Sequence, residues 1–149
     1  MIRKGKIEDI PKVYELIIEL AIYEKALHQV TNTIEQLKID GFGENPLFEF
    51  LIAENDEQEI VGMSLYYFRY STWKGKRLYL EDLIVKENQR ANGYGKMLLE
   101  ATIQAAKDSK STGLMWQVLD WNQPSIDFYK KFGATFDGEW LNVHLDLNP

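Results

Sequence analysis

Two adjacent carboxylates, Glu81 and Asp82, lie within an otherwise apolar stretch, residues 78–85, that has the length of a β-strand. Neighbouring side chains on a regular strand point to opposite faces, so at least one of the two acids is expected to be partly buried. Burying a carboxylate is costly unless it is paired, solvated or protonated, and such groups are enriched at functional sites. The pair therefore indicates either general acid–base chemistry or a structural ion pair.

The loop from Arg90 to Lys96 contains two glycines and lies between this strand and a long amphipathic segment. Gly93 and Gly95 would allow backbone N–H groups to converge at a helix N-terminus, where the helix dipole favours a phosphate. The two cationic side chains would add positive charge. Glycines at such a junction also serve simple turns. The third glycine of the dinucleotide fingerprint is replaced by Leu98, so that fingerprint is excluded.

A third candidate is the start of a short helix near the C-terminal end of the sequence. Asn122 is a plausible N-cap, Pro124 fits the first turn, and Tyr129 follows about two turns later. On its own, a tyrosine on a helix is usually an amphipathic packing residue.

The rest of the sequence predicts the elements that must position these residues. Helical spacing of apolar residues predicts helices, and apolar–polar alternation predicts strands, including one or two over 134–147. Gly41 is expected to end the second helix. The predicted order is strand 2–7, helices 8–26 and 31–40, strands 47–54, 60–70 and 77–85, helix 93–110, strand 114–119, helix 122–131 and the final strands. This order predicts a mixed α/β sandwich in a single domain, residues 1–149.

Composition limits the classes of function. The chain has 149 residues, 45% of them hydrophobic and 27% charged, which matches one soluble domain. No apolar run approaches the roughly 20 residues of a membrane span, and no signal-peptide core is present, so a cytoplasmic location is expected. The chain contains no cysteine and only two histidines, distant in sequence, so no metal site is expected.

Charge is distributed in three blocks. Residues 1–60 carry a net charge of -7, residues 61–113 carry +4 and residues 114–149 carry -3. A basic middle segment between acidic ends suits a polyanionic ligand bound beside a cationic one, although such blocks can also be merely solvated surface. The acidic total of -6 argues against nucleic acid as a partner.

Taken together, the three motifs resemble the GNAT family of N-acetyltransferases over nearly the whole chain. The Arg-x-x-Gly-x-Gly pattern after the fourth strand and the Asn-x5-Phe-Tyr pattern on the last helix are the acetyl-CoA signatures of that family. Within it, the sequence is similar to the spermidine/spermine (diamine) acetyltransferases. The runs 70–75 and 118–123 are closer to the thialysine branch of that group. One departure is Ala91, where many members have glycine.

The resemblance implies a fold, a co-substrate and site residues. The fold would be a mostly antiparallel mixed sheet, splayed at the cofactor site, with helices on both faces. Glu81 would act as the general base, directly or through water, and Tyr129 as the general acid. A bulge near Glu81 would make the alternation of side chains fail there. Acetyl-CoA would bind to Leu83, Ile84, Val85, Arg90, Ala91, Asn92, Gly93, Tyr94, Gly95, Lys96, Asn122 and Ser125.

The acceptor implied by the resemblance is a small cationic amine. The residues that match the family's amine site are Tyr23, Glu24, Trp73, Asp82, Glu139 and Trp140. Spermidine, a shorter diamine and thialysine remain open as substrates, and an amino acid would need a basic partner such as Lys74 or Arg69. A CoA- or polyamine-binding module without activity and a protein acetyltransferase are the alternatives. Members of the group are typically homodimers.

Overall fold

A computed structural model describes residues 1–147 of the chain. The first compact unit, Met1–Trp116, contains the whole sheet, and a second unit begins at Gln117. The elements are β1 (Ile2–Lys4), α1 (Ile10–Tyr23), α2 (Ile34–Phe42), β2 (Glu49–Glu54), β3 (Ile60–Ser71), β4 (Gly75–Val85), α3 (Tyr94–Asp108), β5 (Leu114–Trp116) and α4 (Gln123–Lys130).

The five strands form one sheet in the order β1-β2-β3-β4-β5. The first four strands pair antiparallel with their neighbours, whereas β5 pairs parallel to β4. The polar turn after β2 is held by the Asn55 side chain, whose Oδ1 accepts from the backbone N–H groups of Glu57 and Glu59. The mixed, mostly antiparallel sheet that the family resemblance implied is confirmed.

Helices cover both faces of the sheet. On one face, α1 and α2 bury an apolar cluster with β2, β3 and β4, and on the other face α3 packs against β3. The buried hydroxyls of Ser64 in β3 and Thr102 in α3 form a hydrogen bond of 2.6 Å across the second contact. The cluster on the first face consists of Ile10, Val13, Leu16, Leu37, Phe50, Ile52, Met63, Leu65 and Ile84.

Gly41 does not end α2, contrary to the sequence-based expectation. The helix continues through Gly41 to Phe42, and its C-cap is Gly43. A β-carbon at Gly41 would lie only 2.7 Å from the ring of Phe48. The absence of a side chain at Gly41 therefore lets the Phe48 ring pack closely against this helix.

The strands expected over 134–147 are absent from the described part of the chain, so that prediction is wrong. The last strand that is formed, β5, is only three residues long, and residues 117–119 do not extend it. Leu141, Val143, Leu145 and Leu147 are 82 to 91% exposed. Alternating apolar and polar residues predict a strand with one apolar and one polar face. A strand also requires a neighbouring strand to accept and donate its backbone hydrogen bonds.

The second unit contains α4, which begins as the sequence predicted. Asn122 is the N-cap, and its side-chain oxygen accepts from the backbone N–H of Ser125 at 3.4 Å. Pro124 lies in the first turn. Outside the helix, a second hydrogen bond joins the two ends of this unit: Gln117 Nε2 donates to Asn142 Oδ1 at 2.8 Å.

Candidate active site

A β-bulge lies at Glu81. In the pairing of β3 with β4, Leu65 is opposite Asp82 and Tyr66 is opposite Leu80, which leaves Glu81 as the extra residue. A bulge interrupts the alternation of side chains along a strand. As a result both adjacent acids line the same cleft, on the α1–α2 side of the sheet.

The two acids differ in environment. Asp82 is partly buried, whereas Glu81 is exposed. Burial, followed by the negative charges of Glu81 and Glu24, raises the pKa of Asp82 to about 7. Burial also raises the pKa of Glu24, which lies at the end of α1. Asp82 therefore exchanges a proton in the neutral pH range, which suits general acid–base chemistry.

The acidic cleft has a volume of about 630 Å³ and lies entirely within the first unit. Its charged lining residues are Asp40, Glu81 and Asp82, and all three are acids. A carboxylate-lined slot with aromatic walls favours a cationic chain through charge and cation–π attraction. The other lining residues are Tyr14, Ile17, Val30, Asn32, Leu37, Leu47, Phe48, Leu65, Tyr67 and Phe68.

Tyr67 anchors the exposed carboxylate. Its hydroxyl donates to Glu81 Oε1 at 3.1 Å. Its ring packs against Tyr79, the residue opposite it on β4, with centroids 5.3 Å apart. The guanidinium of Arg69 lies over the Tyr79 ring at 5.2 Å.

Beyond the bulge, one edge of β4 is open. The pairing with β5 covers only Leu78 to Leu80. The N–H of Lys86 donates to Val61 of β3 at 2.8 Å, so alternation along the antiparallel pair turns the N–H groups of Leu83 and Val85 away from β3. The predicted splay of the sheet is confirmed, because no strand within residues 1–147 pairs with β4 on this side beyond Leu80.

The loop that follows β4 leads into the N-terminus of α3. Gly93, the N-cap, has a φ of 84°, and Ala91 has a φ of 70°. The first amides of a helix have no acceptor within it, and together with the helix dipole they favour an anion. Arg90 lies beside this turn, where its Nε donates to the Val85 carbonyl at 3.1 Å. These features fit a phosphate group.

The residues predicted to bind the amine are only partly brought together. In the first unit, the charge of Glu24 acts on Asp82, whereas Tyr23 lies under the guanidinium of Arg90 at 5.5 Å. Trp73 is 86% exposed in the turn between β3 and β4. None of these three lines the acidic cleft.

The remaining predicted residues belong to the second unit. Tyr129 and Asn122 are buried, and the Tyr129 ring lies 5.5 Å from that of Phe128. Glu139 and Trp140 are exposed and lie outside regular secondary structure.

Sequence reasoning missed Tyr67, Tyr14 and Asp40, which all line the acidic cleft. Tyr67 could have been found from its place on an apolar strand facing the one that carries the acids. Asp40 and Tyr14 gave no comparable signal, because an acid and a tyrosine on the surface of predicted helices are ordinary.

Residues 1–147 contain neither a metal-binding cluster nor a membrane-spanning helix. Across these residues, no cluster of three or more histidine, cysteine, aspartate or glutamate side chains has the arrangement of a metal site. None of the helices in this range combines the length and the apolar character that crossing a bilayer requires.

Comparison with known proteins gives consistent matches. Residues 10–134 match the model of the acetyltransferase (GNAT) family. The chain is 43% identical to the thialysine N-epsilon-acetyltransferase of Bos taurus over 141 residues, which are 90% of this chain and 83% of that protein. The corresponding protein of Caenorhabditis elegans is 38% identical, with 91% of this chain and 84% of that protein covered.

A longer human relative also matches. The spermidine/spermine N(1)-acetyltransferase-like protein 1 of Homo sapiens is 41% identical over 89% of this chain but only 20% of its own length. Among solved structures, an aminoglycoside acetyltransferase from an uncultured soil metagenomic sample has a TM-score of 0.78, 22% identity, and coverage of 99% of this chain and 96% of that chain. At that identity the structural match shows the fold alone. With the family model matched over most of its length, the chain belongs to the acetyltransferase (GNAT) family and is an acyltransferase of the N-acetyltransferase type.

Proposed function

We propose that this protein uses acetyl-CoA to acetylate a primary amine of a small cationic molecule by direct transfer. GNAT acetyltransferases use acetyl-CoA as co-substrate. The observation that carries the proposal is the bulge at Glu81, which places two carboxylates in one cleft beside the open edge of β4.

The first requirement is removal of a proton from the amine. An alkyl amine with a pKa near 10.4 arrives as an ammonium ion, which has no lone pair for attack. Glu81 is proposed to accept that proton, directly or through water, as the general base. The neighbouring Asp82, whose pKa burial raises to about 7, attracts the cation when it is ionised.

The second requirement is stabilisation of the charge that develops during transfer. The amine nitrogen forms a bond to the carbonyl carbon of the acetyl group, and the carbon–sulfur bond breaks. Negative charge develops on the carbonyl oxygen, and the N–H groups of Leu83 and Val85 are proposed to donate to it or to the adjoining pantetheine amides. Tyr129 is proposed to give its phenolic proton to the leaving thiolate, and the acylated nitrogen then releases its extra proton to the resulting phenolate or to water.

Binding of the co-substrate is assigned to the segments that can hold its phosphates and its amide arm. Acetyl-CoA supplies the acetyl thioester. The N-terminus of α3 is proposed to hold the pyrophosphate, because its amides and dipole favour anions. The cofactor residues remain those proposed from the sequence: Leu83, Ile84, Val85, Arg90, Ala91, Asn92, Gly93, Tyr94, Gly95, Lys96, Asn122 and Ser125.

The identity of the amine is narrowed by the charge of the cleft. Asp40, Glu81 and Asp82 favour a substrate with two or more cationic groups, such as a polyamine or a diamine. The thialysine relatives favour a lysine-like amino acid, whose carboxylate these acids would repel. Arg69, whose guanidinium lies over the Tyr79 ring, and Lys74 remain the proposed basic partners for the carboxylate of an amino acid. Tyr23, Glu24, Trp73, Glu139 and Trp140 remain proposed contacts of the amine.

The test is release of CoA thiol from acetyl-CoA with a panel of amines: spermidine, 1,3-diaminopropane, thialysine, lysine and a lysine-containing peptide. Turnover with one of the free amines, reduced about 10²-fold or more in Glu81→Gln, is the expected result. Turnover with the peptide alone would indicate a protein acetyltransferase. Binding of CoA without turnover on any amine would indicate a module that only binds.

Homodimer formation belongs to the same proposal. The four leucine and valine side chains exposed between residues 141 and 147 support it, because an apolar row of this kind is commonly covered by a partner. Light scattering after size exclusion is expected to give about twice the mass of 17.4 kDa, and Leu145→Asp is expected to reduce it. The cytoplasmic location remains a prediction.

A further inference from the structure

The hydrogen bond between Tyr67 and Glu81 joins two neighbouring strands at the acidic cleft. The Tyr67 hydroxyl donates to Oε1 of the carboxylate at 3.1 Å. The ring of Tyr67 is held by Tyr79, whose centroid lies 5.3 Å away. Glu81 is itself exposed, so the hydrogen bond is what gives its side chain a defined direction.

We propose that Tyr67 is a positioning residue for the amine-deprotonation step, because its hydroxyl fixes Glu81 Oε1 and leaves Oε2 to accept the proton of the amine. This inference rests on the proposed function. A long side chain at the surface samples several rotamers, and a base that must meet a bound ammonium ion gains from being held in one of them.

The phenol is suited to remain the donor. Burial, together with the charge of Glu81, raises the pKa of Tyr67 to about 12, so the hydroxyl keeps its proton throughout the neutral range. A hydrogen bond donated to a carboxylate favours its ionised form, which is the form that a base requires.

Several charged and polar groups surround the Tyr67–Glu81 pair. On β4, Asp82 and Tyr79 lie close enough to interact electrostatically with Glu81, and Glu24 at the end of α1 acts on Asp82. On β3, the cation of Arg69 acts on Tyr67 and Tyr79. Removal of the phenol therefore leaves the Glu81 carboxylate next to Asp82 without the hydrogen bond that Tyr67 donates to it.

The experiment compares Tyr67→Phe with the wild type across pH, using the free amine that the wild type acetylates best and saturating acetyl-CoA. The substitution keeps the aromatic ring and removes only the hydroxyl. We expect the acid limb of the kcat/KM profile to move to higher pH by about half a unit or more, and kcat at neutral pH to fall about threefold to tenfold.

Tyr14→Phe is the matched control. Tyr14 lines the same cleft, but its hydroxyl donates to the backbone carbonyl of Asn32 at 3.0 Å. The same chemical change at this position is expected to leave the acid limb in place. A second test adds Tyr67→Phe to Glu81→Gln, where we expect no further loss of kcat, because the group being positioned is already absent.

An unmoved acid limb in Tyr67→Phe, or losses that multiply in the double variant, would overturn the inference while leaving the proposed function intact. Absence of turnover by the wild type on every amine would overturn both. A shift of equal size in Tyr14→Phe would also count against the inference, because it would show that any hydroxyl in the cleft has this effect.

Discussion

The hydroxyls of Ser64 and Thr102 lie 2.6 Å apart, and both side chains are fully buried between β3 and α3. Thr102 Oγ1 donates its own proton to the Leu98 carbonyl at 2.7 Å, so Ser64 must be the donor to Thr102. This short chain of hydrogen bonds joins α3, whose N-terminus is the proposed phosphate site, to the sheet.

Removing either hydroxyl of this pair is expected to destabilise the fold, and the loss should be larger for Thr102 than for Ser64. Thr102→Val leaves the Ser64 hydroxyl buried without an acceptor and should lower the free energy of unfolding by about 1–3 kcal/mol. Ser64→Ala removes the donor and should cost about 1 kcal/mol. The double variant should be less destabilised than the two losses added together, as measured by urea unfolding. Strict additivity would show that the two hydroxyls are not coupled.

The raised pKa of Asp82 predicts that stability falls as pH rises. The unfolded chain releases this proton near the ordinary pKa of 3.8, whereas the folded chain holds it until about pH 7. Between these values the folded state binds more protons, so the free energy of unfolding decreases with rising pH. Asp82→Asn removes the ionisable group. We therefore expect the free energy of unfolding of the variant, measured relative to that of the wild type, to increase between pH 5 and pH 8. The increase should be at most about 3 kcal/mol.

Asp56→Asn, in the exposed turn between β2 and β3, is the control for that measurement. The difference in free energy of unfolding between Asp56→Asn and the wild type should be the same at pH 5 and at pH 8. If the gain of Asp82→Asn were also independent of pH, the proton would not be held in the folded state. Denaturant unfolding of all three proteins in matched buffers provides the comparison.

The left-handed backbone at Gly93 and Ala91 predicts opposite effects of exchanging the two residue types. A β-carbon at Gly93 would have no atom within 4 Å, so it would meet no steric clash with its neighbours. Gly93→Ala therefore measures only the loss of folding free energy that a φ of 84° causes for an alanine. That cost is expected to be about 1–2 kcal/mol. Ala91→Gly relieves a φ of 70° and should stabilise by up to about 1 kcal/mol. Thermal melting of both variants with and without CoA separates backbone strain from binding.

Tyr129→Phe is expected to lower kcat more than it weakens binding of acetyl-CoA. The phenol is proposed to act only on the leaving thiolate, which exists late in the reaction. A loss of about 10²-fold or more in kcat is typical when a general acid is removed. Steady-state kinetics give kcat, and calorimetry with CoA gives the affinity. Unchanged turnover would remove Tyr129 from the mechanism.

Several elements were predicted correctly from the sequence because their signals are local. The glycine before α3, the N-cap at Asn122 and the alternation within β3 and β4 all reflect preferences of a few neighbouring residues. Gly41 and the segment 134–147 were misjudged because tertiary contacts decide them. The ring of Phe48 packs against Gly41, and the segment has no strand beside it in the described chain.

The candidate site was predicted unevenly for a similar reason. The two acids and the bulge followed from the sequence and the family resemblance, but the unequal burial of Glu81 and Asp82 did not. Alternation along a regular strand predicts that one of the two acids is buried, but the position of the bulge determines which of them it is. Likewise, the hydrogen bond from Tyr67 joins residues 14 positions apart, a distance over which residue spacing carries no information.

The open edge of β4 has a further consequence for behaviour in concentrated solution. An unpaired sheet edge can recruit an extended segment from another molecule and so begin aggregation. Here the stretch of β4 that has no strand beside it runs only from Glu81 to Val85 in the described chain, and the bulge at its start adds local twist. Few amides are therefore available to template such growth.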